Sequence, residues 1–520
     1  MKKYICFSVL LFLIILPAKI KAQTTAIVDI TEMNIYQIQD AVDKGYLTYE
    51  QITRIYLDRI NKYNKQYNAI LTVNKNIIDE AKKKDEEYHK VGRKSLIFGL
   101  PILVKDNIDV KGMPTTSGSR LLLDSYPNKN SDVVQKLLDA GAIIIGKTNM
   151  STFALDGASS YSDFGHVHNA YNLNYTPYGS SGGSAVAVAA NFAVAAIGTD
   201  TGVSLRLPSA ANNVIGFRTT YNLVKSKGVI HLDSTRDVIG PITKYVEDNA
   251  IIMEIIDDEK INYQSATTTK NLKGIRIGVI KSFKNTTVKS INDLFSKQLE
   301  ILKSLGAEIV YIDNFNLDYS FLYDEFCYDF NNYIKGTSSH IKSFNDLLVS
   351  NSYNFLNKYS NSYCSKDYYN SSKYKKYIEI QNKNIEKANN IYEKNKLDAI
   401  LYVSIKNPIV QIQNLGKVFV KTDSSKMANL IGFPAMAIPI GNINQLYYGM
   451  EIMAEPYNES IIYDIAFNLQ RKNSFYKVPN IAPKLYTVSE SAKQMLQLKE
   501  LIRDIEKNSL SFIYKIKKVL

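Results

Sequence analysis

Two serines and one lysine stand out in this sequence, because together they can cleave a bond without a histidine or a metal ion. Ser180 lies in the stretch GSSGGS, Ser204 ends the stretch GTDTGVS, and Lys105 follows the apolar run GLPILV. A serine hydroxyl becomes a good nucleophile only when a base takes its proton. The chemistry therefore depends on whether these three side chains meet.

Lys105 can act as that base only if its amine is neutral. Burial in apolar surroundings disfavours the ammonium form and lowers the pKa of a lysine from about 10.4 by several units. The run GLPILV before Lys105 predicts such surroundings, since it is typical of a buried strand. The spacing leaves one alternative open, in which Lys105 ends a strand and pairs with Asp106 in solvent.

The glycines before Ser204 indicate a second catalytic feature. The tetrahedral intermediate of acyl transfer carries a negative oxygen, which backbone N–H groups stabilise in an oxyanion hole. A glycine-rich turn can direct several N–H groups to one point, and we predict that Thr201, Gly202 and Val203 form this turn. Two other interpretations stay open: a turn with a purely structural role, and a phosphate-binding loop, although GSSGGS lacks the terminal Lys-Ser/Thr of such loops.

The composition is that of a globular enzyme with a basic surface. The 520 residues are 45% hydrophobic and 22% charged, with a net charge of +13. The lysines are spread among Asn, Ile and Tyr and form no basic stripe, so no nucleic-acid partner is predicted. The five histidines are scattered, and only His166 and His168 give a weak metal signal. We predict no cofactor and no metal site.

The N-terminus predicts export. Residues 1–22 contain a short basic start, an almost unbroken apolar run and small residues at the end, with Ala22 as the cleavage position. The apolar run is short for a membrane span, although an uncleaved anchor stays an alternative. We expect a periplasmic or secreted protein, in which disulfides can form. The sequence leaves open whether Cys327 and Cys364, the two cysteines beyond the signal, pair or stay free.

Alternating strand and helix patterns predict an α/β fold with a sheet covered on both faces. Gly306 is the predicted stop of one helix, since glycine often follows the last helical turn. The predicted strands are 68–73, 99–104, 142–145, 275–280, 308–312, 398–403 and 435–440, and the predicted helical segments are 35–60, 77–89, 133–140, 184–196 and 291–305.

The chain shows no internal repeat and no flexible linker. We expect one large domain at 23–483, with a variable helical region rich in Tyr, Asn, Ser and Lys at about 319–395. Residues 484–520 are predicted to form a basic, amphipathic helical tail. The end of this tail, 509–520, either lies on a lipid surface or packs as a helix on the enzyme body. The oligomeric state is not predicted.

Several long segments resemble the amidase signature family. They are GLPILVKDNIDVKGMPTTSGS, GAIIIGKTNMSTFA, YGSSGGSAVAVAANFAVAAIGTDTGVSLRLPSA, DVIGPITKYVEDNA and LIGFPAMAIPIG, and they follow in the family's order. The likeness runs from about Ile35 to Pro479. It implies the amidase-signature fold, an α/β fold in which helices cover both faces of a mixed central sheet.

The resemblance also implies a Ser–cis-Ser–Lys triad. Lys105 takes the position of the family's lysine, Ser180 follows a non-proline cis peptide bond, and Ser204 is the nucleophile. Neutral Lys105 then accepts a proton relayed through Ser180, Ser204 forms an acyl-enzyme, and water releases the acid.

Neighbouring residues have supporting roles by the same resemblance. Ser181 supports the turn rather than relaying protons, while Asp200 and Arg206 brace the loop, with Arg206 in a structural ion pair rather than on substrate. Two departures concern efficiency. Val203 replaces a glycine of the family and would distort the oxyanion hole if that position needs a glycine-only geometry. The stretch GFRTT at 216–220 stands where the family shows GLKPT.

The expected function is hydrolysis of linear carboxylic amides to an acid and ammonia or an amine. The segment FLYDEFCYDFNNYIKG looks most like the exported peptide-amidase branch, which acts on C-terminally amidated peptides. The expected partner is therefore a small-molecule or peptide amide. Two alternatives stay open: a glutaminase-type amidotransferase component, and an exported homologue that binds amides without turnover.

Overall fold

The computed structural model describes residues 29–284, 288–313, 315–320, 325–350, 364, 366–418, 420, 426–473 and 476–484. The predicted signal peptide, the cleavage position Ala22 and all but the first residue of the predicted tail lie outside the described residues, so these remain predictions. Within the described ranges, no helix is long and apolar enough to cross a membrane.

A large mixed β-sheet organises the fold. The strands are β1 (Ile70–Val73), β2 (Pro101–Lys105), β3 (Ile143–Thr148), β4 (Tyr161–Ser162), β5 (Gly165–His166), β6 (Ala195–Asp200), β7 (Ile215–Arg218), β8 (Val238–Thr243), β9 (Arg276–Ile280), β10 (Glu308–Ile312), β11 (Ala399–Val403), β12 (Ala435–Ile443) and β13 (Leu446–Met453). In the described part of the chain, eleven of them form one sheet in the order β1-β3-β2-β6-β8-β7-β12-β13-β11-β9-β10, and β4 and β5 form a separate pair. Strands β3, β2 and β6 are parallel, whereas β8, β7, β12 and β13 continue the sheet in antiparallel pairs.

Helices flank this sheet. They are α1 (Ile35–Asp43), α2 (Tyr49–Tyr67), α3 (Ile77–Val91), α4 (Asp132–Asp139), α5 (Gly182–Ala189), α6 (Arg206–Ala211), α7 (Val246–Ile256), α8 (Lys281–Lys284), α9 (Lys289–Ser304), α10 (Phe326–Ile334), α11 (Phe344–Val349), α12 (Ser372–Asn395), α13 (Met427–Ile431) and α14 (Glu459–Lys472). Every residue of β2, β3, β6 and β8 is buried. Successive side chains of a strand point to opposite faces, so both faces of the sheet are covered there. The predicted α/β class with a mixed sheet is confirmed.

Most predicted elements are present, and one is a helix only in its first half. The segment 184–196, predicted as a single helix, contains α5 only to Ala189, after which Asn191 takes a left-handed φ of 57°. Ala195 then starts β6, which lies buried between β2 and β8. A continuous apolar run has no periodicity that separates a buried helix from a buried strand, and this explains the error.

The predicted helical segment 35–60 is also divided. Helix α1 ends at Asp43, Gly45 takes a positive φ of 70°, and α2 begins at Tyr49 behind the N-cap Thr48. The apolar residues of both helices face the same core, so their spacing gave no sign of the turn.

Cys327 and Cys364, whose pairing the sequence left open, form a disulfide with a Cα–Cα distance of 5.0 Å. Cys327 is on α10, which packs into a core cluster with Phe153 and Ile230. Both cysteines lie in the predicted variable region, so the bond joins two parts of this region, and the packing of α10 connects it to Phe153 and Ile230.

Candidate active site

The site forms where two parallel strands end. Strands β2 and β6 are parallel neighbours, with Val104 opposite Ile197, so their carboxyl ends lie at the same edge of the sheet. Lys105 is the last residue of β2, and Thr199 and Asp200 are the last residues of β6. This edge is where α/β sheets commonly place ligand sites.

Lys105 and Ser180 are in direct contact. The Nζ of Lys105 is 2.6 Å from Ser180 Oγ, 2.7 Å from Thr199 Oγ1 and 3.4 Å from the Thr199 carbonyl oxygen. The peptide bond between Gly179 and Ser180 is cis, as the resemblance implied. All of these side chains are buried. Two of the three predicted triad residues therefore meet directly.

Burial lowers the pKa of Lys105 to about 7, and the carboxylates of Asp237 and then Asp200 act in the opposite direction. A large fraction of this amine is therefore neutral at neutral pH. The alternative pairing of Lys105 with Asp106 does not form. Asp106 lies instead 3.4 Å from the Nζ of Lys147, and both of those side chains are fully buried.

The contacts of Lys105 indicate which way its lone pair faces. A neutral amine has two N–H donors and one lone pair, and the Thr199 carbonyl oxygen can only accept. Asn107 Nδ2 also lies 3.3 Å from Thr199 Oγ1, which helps to fix this hydroxyl. When neutral Lys105 directs both N–H groups to the two oxygens of Thr199, its lone pair is left to accept the Ser180 hydroxyl proton. This is the orientation that a base for the Ser180 hydroxyl needs.

Ser204 lies on the loop between β6 and α6, close to the other two residues. Its carbonyl oxygen accepts the Ser181 N–H at 3.1 Å, and Ser181 Oγ lies 3.1 Å from the Thr199 carbonyl oxygen. Ser181 thus braces the turn. Ser204 is 4% exposed, and within the described ranges its hydroxyl has no hydrogen-bond partner, Ser180 included. The Ser204 backbone therefore contacts Ser181, the residue after Ser180, and within the described residues no hydrogen bond joins the hydroxyls of Ser180 and Ser204.

Consecutive backbone N–H groups are unpaired on this loop. Among the residues that the structure describes, the N–H groups of 201–204 have no hydrogen-bond partner, whereas the next one, Leu205, donates to Asp200 Oδ2 at 3.2 Å. The range includes all three residues predicted for the oxyanion hole. Unpaired N–H groups in succession are what such a hole requires.

The carbonyl groups of the same loop are all anchored. A peptide unit is planar and trans, so its C=O and its N–H point in opposite directions. Holding each carbonyl therefore fixes the direction of the following N–H. Each carbonyl oxygen accepts one hydrogen bond: that of Asp200 from the Arg218 side chain at 2.8 Å, and that of Thr201 from the Asn429 side chain at 3.0 Å. The carbonyl oxygen of Gly202 accepts from the Arg206 side chain at 2.7 Å, and that of Val203 from the Leu207 N–H at 3.0 Å.

A buried ion network supports these anchors. Asp200 accepts hydrogen bonds from Arg206 Nε at 3.0 Å and from Arg218 at 3.3 Å, and Arg206 also binds Glu451, whose carboxylate accepts the Tyr402 hydroxyl at 2.8 Å. Burial acts to raise the pKa of Asp200, but Arg206 and then Arg218 lower it by more. The predicted bracing roles of Asp200 and Arg206 agree with this geometry.

Val203 does not need a glycine conformation. Neither Gly202 nor Val203 has a positive φ. The side chain of Val203 is 5% exposed and turns toward Gly157, where an added Cβ would lie 2.7 Å from Val203 Cγ2. A glycine at 157 therefore makes room for the valine, and the distortion considered from the sequence does not occur.

We expect Gly157→Ala to lower both stability and kcat/KM, because the new Cβ collides with Val203 and displaces the loop. Overpacking of this kind costs about 1–3 kcal/mol. In the double variant with Val203→Ala, most of the loss should be recovered, which a double-mutant cycle of Tm and kcat/KM measures. The control is Gly336→Ala, where the nearest atom to an added Cβ is 3.5 Å away. A double variant as impaired as Gly157→Ala alone would contradict this contact.

Sequence reasoning missed three groups of this site. Arg218 lies in the stretch GFRTT, and Asn429 stands directly before the segment LIGFPAMAIPIG. Thr199 lies in the stretch GTDTGVS, where its residue type alone predicts no role. The signal for Arg218 and Asn429 is a polar residue next to a run of apolar residues, and this signal is weak without the fold.

The structure offers no metal centre in its described residues. No group of three or more His, Cys, Asp or Glu there could hold a metal ion. His168, one of the two histidines with a weak metal signal, has its Nδ1 2.6 Å from the Leu173 carbonyl oxygen.

Comparison with known proteins decides the family. The Amidase family model matches residues 51–462. The chain belongs to the amidase family. It is therefore an enzyme of the class that hydrolyses C–N bonds of amides, and its fold is the one that the resemblance implied.

Proteins similar to this chain include an amidotransferase subunit and two solved amidase structures. A component of the glutamyl-tRNA(Gln) amidotransferase of Thermoanaerobacter pseudethanolicus is 28% identical, covering 87% of this chain and 98% of the relative. The native peptide amidase of Stenotrophomonas maltophilia is 25% identical with a TM-score of 0.77, covering 87% of this chain and 99% of that one. An amidase family protein of Bacillus anthracis is 26% identical with a TM-score of 0.76, covering 86% and 92%.

Proposed function

We propose that this amidase uses Ser204 as nucleophile, Ser180 as proton relay and Lys105 as base. The Ser204 oxygen attacks the amide carbonyl while its proton passes to Ser180, and the Ser180 proton passes to the neutral amine of Lys105. The proton then returns along the same route to the leaving nitrogen as the C–N bond breaks. Water then attacks the acyl-enzyme and gives one proton to the relay. The relay passes a proton to the Ser204 oxygen as the acid leaves.

The observation that carries this proposal is the 2.6 Å contact between Lys105 Nζ and Ser180 Oγ. It joins a buried amine with a pKa of about 7 to a serine. The next residue, Ser181, donates its backbone N–H to the carbonyl oxygen of Ser204. A base is most effective when its pKa lies near the working pH. The unpaired N–H groups of 201–203 complete the arrangement as an oxyanion hole.

For the substrate we propose C-terminally amidated peptides. Support comes from the likeness to the peptide amidase of Stenotrophomonas maltophilia and to a peptide amidase solved in complex with the competitive inhibitor chymostatin. The test is ammonia release from matched peptide amides, simple carboxamides and free glutamine. We expect the peptide amides to have the highest kcat/KM. Faster turnover of simple carboxamides would contradict this substrate class.

A second candidate is a glutaminase-type amidotransferase component, because relatives that belong to glutamyl-tRNA(Gln) amidotransferases are 28% identical over most of this chain. That function predicts ammonia release chiefly from glutamine. A third candidate, an amide-binding homologue without turnover, lost its main support when Val203 proved to fit its position. It predicts binding of peptide amides with no ammonia above background.

We also propose that the chain is exported. The supporting observations are the signal-like residues 1–22 and the disulfide between Cys327 and Cys364, since disulfides persist mainly in oxidising compartments. Fractionation of cells that express the full chain, with N-terminal sequencing, tests this. We expect protein outside the cytoplasm that begins after Ala22. Protein found only in the cytoplasm with residues 1–22 retained would contradict export.

A further inference from the structure

A carboxamide from a distant part of the chain holds the loop of Ser204. Asn429, on the short helix α13, donates from Nδ2 to the Thr201 carbonyl oxygen at 3.0 Å. The side chain is 1% exposed. Of the four carbonyl anchors of this loop, it is the only neutral side chain, because the others are two arginines and a backbone N–H.

The bond to Thr201 controls the direction of one N–H group. The Thr201 carbonyl and the Gly202 N–H belong to the same planar peptide unit and point in opposite directions. A donor that holds the carbonyl on one side therefore directs the N–H to the other side. The Gly202 N–H has no partner among the described residues, so it is available to a ligand. Gly202 lacks a Cβ that would restrict its rotation, and this makes the anchor more important.

The environment of Asn429 is not one that favours stability. Its Oδ1 is buried and has no hydrogen-bond partner in the part of the chain that the structure describes. The free-energy cost of a buried polar atom left unpaired is at least as large as the net contribution of one good hydrogen bond. The side chain thus gives the fold little net stabilisation, and an unpaired atom of this kind calls for another explanation.

We propose that Asn429 is a positioning residue that aims the Gly202 N–H at the oxyanion. The proposal rests on the function proposed above, with Ser204 as nucleophile. Asn429 does not touch the substrate; it acts through the Thr201–Gly202 peptide unit. Losing its donor lets this unit rotate, and the oxyanion then loses one well-directed hydrogen bond.

The test compares Asn429→Leu and Asn429→Ala with the wild type on a peptide amide. We expect kcat to fall about 10- to 100-fold, below the roughly 10²–10³ seen when an oxyanion donor is removed entirely. KM should stay within error of the wild type. A peptide aldehyde, which forms a tetrahedral adduct with the serine, should bind more weakly by the same factor as kcat falls. The acidic limb of the pH–rate profile should not move, because the surroundings of Lys105 are unchanged.

The control is Asn384→Leu. Asn384 is another buried asparagine; it lies on α12 and donates to the backbone carbonyl oxygen of Asp318. This substitution should lower Tm and leave kcat unchanged. The proposal is overturned if both Asn429 variants keep the wild-type kcat while Ser204→Ala is inactive. It is also overturned if aldehyde affinity stays constant as kcat falls. Activity retained by Ser204→Ala would instead overturn the proposed function itself.

Discussion

Ser204→Ala should lower kcat for a peptide amide by about 10⁶-fold, as removal of the nucleophile does in other serine hydrolases. The alanine methyl group cannot attack the amide carbonyl, so no acyl-enzyme forms through this residue. The fold should be unaffected, since the Ser204 hydroxyl makes no hydrogen bond within the described residues. Ammonia release measures the loss, and an unchanged Tm confirms that the variant is folded.

Ser209→Ala is the matched control. Ser209 lies five positions downstream on α6, is fully buried, and its hydroxyl has no hydrogen-bond partner in the described part of the chain. Removing this hydroxyl should leave kcat unchanged and Tm equal or slightly higher. If Ser204→Ala and the wild type both release ammonia only at background, the chain is an amide-binding homologue. If Ser204→Ala stays active, Ser204 is not the nucleophile.

The parts of this site that the sequence predicts are those encoded in short segments. Lys105 follows an apolar run, and Ser180 and Ser204 lie in glycine-rich turns, so residue type and spacing alone indicate a base and two hydroxyls. Their contact is a property of the sheet. It depends on β2 and β6 being parallel neighbours, which the sequence does not state.

The parts that were missed depend on long-range contacts. Asn429 reaches Thr201 across 228 positions, and Glu451 reaches Arg206 across 245. No local pattern connects such pairs. Whether Val203 distorts the oxyanion hole could not be predicted from the sequence for the same reason. It depends on the backbone φ at Val203 and on the space that Gly157 leaves for the valine side chain. The wrong helix at 184–196 has a different cause, since an alanine- and valine-rich run suits both a buried helix and a buried strand.

Lys105→Met should also remove nearly all activity, because the relay through Ser180 then has no base. We expect kcat to fall by about 10⁴-fold or more, within the range seen when one member of a catalytic unit is removed. In the wild type, kcat/KM should rise with pH through an apparent pKa of about 7, because only neutral Lys105 accepts the proton. In Lys105→Met the residual activity should lose this acidic limb.

The same substitution has a stability signature whose sign follows from proton linkage. The pKa of Lys105 is about 7 in the folded protein and about 10.5 in the unfolded chain, so between these values the unfolded state binds more protons. Stability from this group therefore rises with pH from about 7 to 10. The wild type should gain about 3–4 kcal/mol over this interval relative to Lys105→Met, at 1.36 kcal/mol per unit. Denaturant unfolding of both proteins at pH 7, 8, 9 and 10 measures the difference.

Lys244→Met is the control that distinguishes the general effect of removing a buried lysine from the specific effect of removing Lys105. Burial lowers the pKa of Lys244 to about 8, and its amine contacts the Thr31 carbonyl oxygen at 3.0 Å and Asn191 Oδ1 at 2.7 Å, away from the site. Its removal should change stability and leave the acidic limb of kcat/KM in place. A wild-type stability that tracks Lys105→Met at every pH would mean that Lys105 is charged in the resting enzyme. A charged lysine cannot accept the Ser180 proton, and the proposed relay would then be wrong.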